Sequence, residues 1–256
     1  MDHFTYTPGG RLACEGVDAE ALARRFGTPL YVYSAATLRG NASRLLEAFS
    51  PLRPELHYAV KACNTLAILR LLRGQGLGMD VVSGGELERA RLAGCPMSHA
   101  SFAGVGKTRA EIDRALALGI AQFNVESGAE LERLLHAAQA MNTTARYCLR
   151  INPNVDAHTH KYTTTGKHEN KFGVDADTAV SLLARFTGAR GLHFLGFHAH
   201  LGSPIYSTQP YREGLAVLLA LLRETVAPGC VRWRSDVNFE CSKSSEARTG
   251  VCARRW

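Results

Sequence analysis

Along residues 30–224, short apolar runs alternate with stretches whose apolar side chains recur at helical spacing. Six runs have the length and composition of strands: 56–61, 79–83, 101–103, 122–125, 146–151 and 193–200. The first five begin about 21–24 residues apart, the pitch of a compact strand–loop–helix–loop unit. Helix starts are marked between them. Ser83-x-x-Glu86, Thr108-x-x-Glu111 and Ser127-x-x-Glu130 each have the form of a capping box, in which hydroxyl and carboxylate satisfy backbone N–H groups that a first turn leaves open. Leu131, Leu134, Leu135 and Ala138 then line one face after the third box. Gly74, Gly94 and Gly119 stand where a left-handed residue would stop a helix.

This alternation predicts an α/β fold with a parallel sheet covered by helices, either an open doubly wound sheet or a (β/α)8 barrel. Periodicity does not choose between them. No G-x-G-x-x-G follows the first strand, which weighs against a dinucleotide-binding sheet. In both folds chemistry belongs at the carboxyl ends of strands. The polar residues there are Lys61, Asp80 and Ser83, Asn124 and Glu126, Arg150 and Asn152, and His198 and His200.

Composition narrows the class. The 256 residues allow one large domain or two small ones, and 46% hydrophobic with 21% charged residues is globular usage. No apolar run approaches the ~20 residues of a membrane span, and the opening Met1-Asp2-His3-Phe4-Thr5-Tyr6 lacks the order of a signal peptide, so no membrane and a cytoplasmic setting are expected. The formal net charge of +7 matters less than its distribution. Residues 225–256 hold six basic and three acidic side chains, both tryptophans, and Cys230, Cys241 and Cys252. Apolar periodicity, caps and turn logic stop there, so this segment is expected to be an aberrant basic tail, either disordered or foreign or frame-shifted. Bases interspersed with acids are a poor nucleic-acid footprint, and no nucleic acid is expected as a partner. Cys14, Cys63, Cys95 and Cys148 are scattered without C-x-x-C spacing and read as reduced core thiols.

Lys61 ends an apolar strand and precedes Ala62-Cys63-Asn64 and a helix. A lysine at a strand mouth can be desolvated, which frees the amine to form a Schiff base, although most lysines are solvated surface charges. Asp80 and Arg150 could form a structural ion pair, and Glu86 reads first as the last member of its capping box. His158-x-His160 and His198-x-His200 have spacing that can bind zinc, but no nearby Cys or carboxylate cluster completes a site, and no metal is expected. Gly166-Lys167 lacks the Walker pattern and reads as a polar loop.

Tyr58-Ala59-Val60-Lys61-Ala62 resembles the cofactor-lysine motif of the alanine-racemase-fold, pyridoxal-phosphate-dependent decarboxylases. Gly78-Met79-Asp80-Val81-Val82-Ser83-Gly84-Gly85-Glu86-Leu87 resembles their next strand–helix segment. Asn124-Val125-Glu126-Ser127, Arg150-Ile151-Asn152-Pro153 and His198-Ala199-His200-Leu201-Gly202-Ser203 follow in family order. His158-Thr159-His160-Lys161, Thr165-Gly166-Lys167 and Lys171-Phe172-Gly173 are most similar to the diaminopimelate decarboxylase branch, and less like the ornithine and arginine enzymes. The resemblance implies a (β/α)8 barrel carrying pyridoxal 5'-phosphate covalently on Lys61. His200 would stack on the ring, Ser203 would hydrogen-bond the phosphate, and Asp80 and Arg150 would line the pocket. The implied reaction is decarboxylation of meso-2,6-diaminopimelate, a small amino-acid substrate, to L-lysine by a homodimer.

The resemblance also implies what to look for beyond residue 224. The family's seventh strand carries a glycine triplet, its eighth a Glu-Pro-Gly segment, and a β domain follows. This sequence matches none of them, so the expectation is a partial barrel of about six of eight strands, divided as 1–29, 30–224 and 225–256. Impaired activity is expected with it. The alternatives are a non-catalytic relative that binds a partner and a related ornithine or arginine decarboxylase.

Overall fold

The structure, a computed structural model, describes residues 3–155, 172–203, 205–225 and 236–240, the last of these as backbone. The chain divides into two compact units, residues 1–50 and 51–256. In the first, β1 (Phe4–Tyr6), β2 (Leu12–Cys14) and β3 (Val17–Asp18) form an antiparallel sheet. Helices α1 (Ala19–Phe26) and α2 (Ala35–Phe49) follow. Asp18 caps α1 by accepting from the Ala21 N–H at 2.9 Å, and Ser34 caps α2 by accepting from the Thr37 N–H at 3.0 Å. Glu15 takes the Ser34 hydroxyl and the Ala36 N–H on one oxygen, and these donors hold its carboxyl below the usual range.

The second unit runs β4 (His57–Ala59), α3 (Leu66–Gly74), β5 (Gly78–Val81), α4 (Gly84–Leu92), β6 (Ala100–Phe102), α5 (Arg109–Ala117), β7 (Gln122–Val125), α6 (Gly128–Ala140), β8 (Ala145–Arg150), α7 (Ala176–Phe186), β9 (Leu192–His200), α8 (Gln209–Thr225) and β10 (Asp236–Glu240). These seven strands make one sheet in the order β10-β9-β8-β7-β6-β5-β4, every pair parallel. A doubly wound sheet reverses strand order partway; here spatial order follows the chain throughout, which is the wall of a (β/α) barrel. The six expected strands are all present, with ends displaced by a residue or two. The seventh, β10, was not expected, since residues 225–256 were read as an aberrant tail. Asp236-Val237-Asn238-Phe239-Glu240 does alternate polar and apolar residues, a strand signal masked by the irregular composition around it. Residues 226–235 and 241–256 lie outside the described residues, as do His158, His160, Thr165, Gly166 and Lys167.

Register separates the two faces of the sheet. Met79, Phe102, Phe123, Val125, Leu149 and Phe197 are almost fully buried on the side that the helices cover. Facing the other way are His57, Asp80, Ser101, Gln122, Asn124, Arg150 and His198, all buried and all polar. Ala59, Asp80, Ser101 and Gln122 stand in one lateral row, and Arg150 and His198 in another. The inner face is therefore a polar surface lining a parallel sheet, where layers of branched apolar residues are the usual filling. Gly78 makes room for it. A Cβ there would lie 2.5 Å from the His57 ring and 2.5 Å from the His99 carbonyl.

The helix signals hold with two differences. The hydroxyls of Ser83, Thr108 and Ser127 cap α4, α5 and α6 as expected. Only Glu111 closes a full box, with the Thr108 N–H donating to Oε2 at 2.9 Å. Glu86 and Glu130 instead accept the N–H one residue earlier, from Val82 and Glu126, both at 2.9 Å. Gly94 and Gly119 adopt the left-handed stop, but after α3 that role falls to Gly76, since Gly74 still belongs to the helix. Among the described residues no helix is long and apolar enough to cross a membrane.

Candidate functional site

An apolar cavity of about 360 Å³ lies in the first unit, lined by residues such as Phe4, Leu12, Leu22, Leu30 and Val32 with no charged group. It offers nothing to move a proton or hold an anion. The chemistry-bearing residues stand at the carboxyl ends of β4 to β9.

Lys61 lies in the single 3-10 turn Val60–Ala62 that follows β4, and its side chain is exposed. Ala59 on β4 pairs with Asp80 on β5, so the lysine leaves its strand one residue pair beyond the aspartate. Glu86, on the first turn of α4, senses Lys61: burial pushes its carboxyl up, while the Val82 N–H and the lysine charge pull it down. The carboxylate binds the Val82 N–H instead of closing its capping box, which corrects the sequence reading of it. Asp80 is buried and accepts from the Ser101 hydroxyl at 2.7 Å.

Arg150 ends β8 and is also buried. Its Nη1 donates to Glu126 Oε1 at 2.9 Å, an oxygen that also accepts the Gly104 N–H at 3.0 Å. The guanidinium lies 5.1 Å from the centre of the Phe172 ring. Gly173, at φ +76°, holds that segment close: a Cβ would stand 2.8 Å from the Arg150 carbonyl, which accepts the Val174 N–H. Arg150 thus pairs with Glu126, and Asp80 bonds to Ser101, rather than the two pairing with each other.

A second buried ion pair abuts the first. Lys107 Nζ donates to Glu130 Oε1 at 2.7 Å and to the carbonyls of Gly104 and Asn124, both at 2.8 Å. Glu130 Oε2 accepts the Glu126 N–H. Two cations and two anions are thus interleaved across β6, β7 and β8 with no net charge, and each oxygen but one is bonded. Of the four carboxylate oxygens of Glu126 and Glu130, the exception is Glu126 Oε2, a buried acceptor with no hydrogen-bond donor. Sequence reasoning missed Lys107 and Glu130. A buried lysine carries no local signal, and the glutamate was hidden inside a capping box.

His200, the last residue of β9, is half-buried, and Ser203 lies three residues on in the following loop, also half-buried. His198, two positions earlier on the same face, is buried. The five residues expected to form a site, Lys61, Asp80, Arg150, His200 and Ser203, all stand at one end of one sheet. Among the described residues no group of three or more His, Cys, Asp or Glu side chains could hold a metal ion. The donor set at this end is instead an exposed amine, imidazoles, a hydroxyl and a buried guanidinium.

Comparison with known proteins is consistent with that donor set. Residues 35–232 match the family model described as the pyridoxal-binding domain of pyridoxal-dependent decarboxylases. Diaminopimelate decarboxylase of Pseudomonas aeruginosa is 42% identical over 229 residues, covering 90% of this chain and 55% of that protein. The Vibrio cholerae enzyme of the same name is also 42% identical, with the same coverage. Among solved structures, diaminopimelate decarboxylase from M. jannaschii in complex with L-lysine superposes with a TM-score of 0.85 at 36% identity, covering 93% of this chain and 56% of that one. A structure of SrLDC in complex with PLP superposes with a TM-score of 0.74 at 26% identity, covering 93% of this chain and 56% of that one. The chain spans about half the length of the curated relatives it matches.

Proposed function

Because this chain belongs to the pyridoxal-dependent decarboxylase family, we propose that it forms the pyridoxal-phosphate-binding part of a decarboxylase acting on meso-2,6-diaminopimelate, with Lys61 holding the cofactor covalently. The observation that carries the proposal is the place of Lys61: an exposed amine at the carboxyl end of β4, beside a sheet face lined with polar groups. The residues present suit such a group. An amine can bond an aldehyde, the His200 ring offers a flat contact, the Ser203 hydroxyl can donate to a phosphate, and Arg150 supplies a fixed positive charge.

When bound, pyridoxal phosphate supplies a conjugated ring that accepts the electron pair left as carbon dioxide departs. The chain's own residues do the rest. Lys61 tethers, and Glu86 and Asp80 set the charge around the amine. Arg150, fixed by Glu126, cannot swing toward solvent, so its charge is oriented before any ligand arrives. The substrate is read as a small amino acid because relatives in the M. jannaschii and Helicobacter pylori structures are complexed with L-lysine. The homodimer implied by the sequence resemblance belongs to the same proposal, as does a cytoplasmic setting, supported by Cys14, Cys63, Cys95 and Cys148 being present as thiols.

Borohydride reduction of the chain with pyridoxal phosphate, followed by peptide mass spectrometry, tests the tether. The cofactor mass is expected on Lys61 and lost in Lys61→Ala. A wild-type adduct on other lysines alone, or no adduct, would reject the assignment. Carbon dioxide release from meso-diaminopimelate measured against L-ornithine decides the substrate.

A further inference from the structure

Five side chains form a continuous hydrogen-bonded line through the sheet's polar face. At the amino ends of the strands, His99 Nδ1 lies 2.8 Å from Glu55 Oε1, and the His99 side chain is half exposed. The same oxygen lies 3.0 Å from His57 Nε2. On the far side of that ring, His57 Nδ1 lies 3.1 Å from Ser101 Oγ, and the Ser101 hydroxyl donates to Asp80 Oδ1 at 2.7 Å. His57 is fully buried and Ser101 nearly so, while Asp80 ends the line beside the carboxyl end of β5.

The proton count follows from the donors. Ser101 spends its one O–H on Asp80, so its oxygen must accept from His57, and Nδ1 carries a hydrogen. Nε2 faces a carboxylate oxygen. It is either protonated, giving an imidazolium between the Glu55 carboxylate and the Ser101 hydroxyl, or it accepts from a protonated Glu55. The polar groups around favour the first. Glu55 also faces His99, and Arg73 and Glu55 both act on the neighbouring Cys95 thiol, which burial raises to about 11 and which therefore stays neutral. On β5 the facing group is Asp80; on β6 it is the Ser101 hydroxyl; past β4 stand Lys61 and, on α4, Glu86. A cation at His57 faces the Glu55 carboxylate directly and the Asp80 carboxylate through the Ser101 hydroxyl, an arrangement that compensates a buried charge.

We propose that His57 is a positioning residue: held doubly protonated by Glu55, it acts through Ser101 to fix the Asp80 carboxylate as an anion in one orientation at the cofactor end of the sheet. Gly78 is part of the device, since a side chain there would occupy the space of the His57 ring. The inference rests on the reading of Asp80 as part of the cofactor site, and its test separates the two.

The test is NMR of the full chain without cofactor. Nitrogen spectra of the imidazoles should show both His57 nitrogens protonated at neutral pH, and carboxyl carbon spectra should give the Asp80 titration. In His57→Gln, which keeps hydrogen-bonding ability but cannot carry charge, the Asp80 midpoint is expected to rise by about one pH unit. In Glu55→Gln, a partly exposed site, His57 should lose its second proton at lower pH and Asp80 should shift in the same direction. A neutral His57 in the wild type at pH 7 overturns the proposal whether or not the variants fold. An Asp80 titration indifferent to both substitutions overturns it as well. Pyridoxal phosphate affinity, read by absorbance, is expected to fall several-fold in His57→Gln. If the wild-type chain takes up no cofactor, the functional reading fails while the NMR result still decides the coupling.

Discussion

Lys107 shows how a single buried charge constrains this molecule. Its ammonium group is spent on two carbonyls and the Glu130 carboxylate, with the side chain almost wholly out of solvent. Removing the cation alone strands a buried anion, and that loss exceeds the modest net value of the intact pair. Lys107→Met is therefore expected to lower stability by about 3–5 kcal/mol, read from urea unfolding midpoints. Lys107→Met with Glu130→Leu should recover a good part of it, because no uncompensated charge remains. The partner Glu126–Arg150 pair is also held through the Glu126 N–H, so the single variant should loosen Arg150 too. Lys61, by contrast, was a candidate from the sequence, through the family resemblance rather than its position alone. It stands in a strand-end motif whose neighbours are contiguous in the chain.

At the scale of elements, glutamates in the first turns of α4, α5 and α6 tie those helices to backbone N–H groups at or before their starts. Glu111 is the fullest case, accepting from the Thr108 N–H within its own cap and from the Gly84 N–H at the start of α4. Those two donors hold its carboxyl below the ordinary range. Its folded-state pKa thus lies under the unfolded value of ~4.3, so the stabilisation is complete above that pH and is lost as pH falls through the folded pKa. Glu111→Gln is expected to cost about 0.5–1 kcal/mol at pH 7 and to flatten that acid-side loss, measured by thermal unfolding between pH 3 and 7. The existence of α4, α5 and α6 was readable from Ser83, Thr108 and Ser127. What their glutamates bind was not, because Glu86 and Glu130 reach past the cap to N–H groups whose position depends on how the preceding strand ends.

For the second unit as a whole, seven parallel strands in chain order leave β4 and β10 with one strand neighbour each among the described residues. The register of β10 on β9 runs from Asp236 beside Gly196 to Glu240 beside His200, so β10 shields the strand that carries His198 and His200. In a parallel ladder alternate residues bond to the same neighbour, so proline at one of two successive positions must remove an N–H directed at β9. One of Val237→Pro and Asn238→Pro is expected to speed amide hydrogen exchange across β9 by at least tenfold, leaving β5, β6 and β7 unchanged. Equal exchange in both variants and the wild type would show that β10 does not protect β9.

The sequence by itself determined the class of fold, the positions of the six principal strands, and the helix starts between them, because these follow from periodicity and from caps formed within four residues. The motifs that carry the family resemblance named Lys61, Asp80, Arg150, His200 and Ser203 as candidates, and their roles belong to the proposal. Tertiary structure alone decided that β10 joins the sheet, that Arg150 pairs with Glu126, and that the His57 ring meets Ser101. Those contacts join residues far apart along the chain, from 24 positions for Arg150 to 44 for His57 and Ser101. They form because parallel strands bring distant residues into lateral register, and a side chain's neighbours across a sheet leave no periodic trace in its own segment.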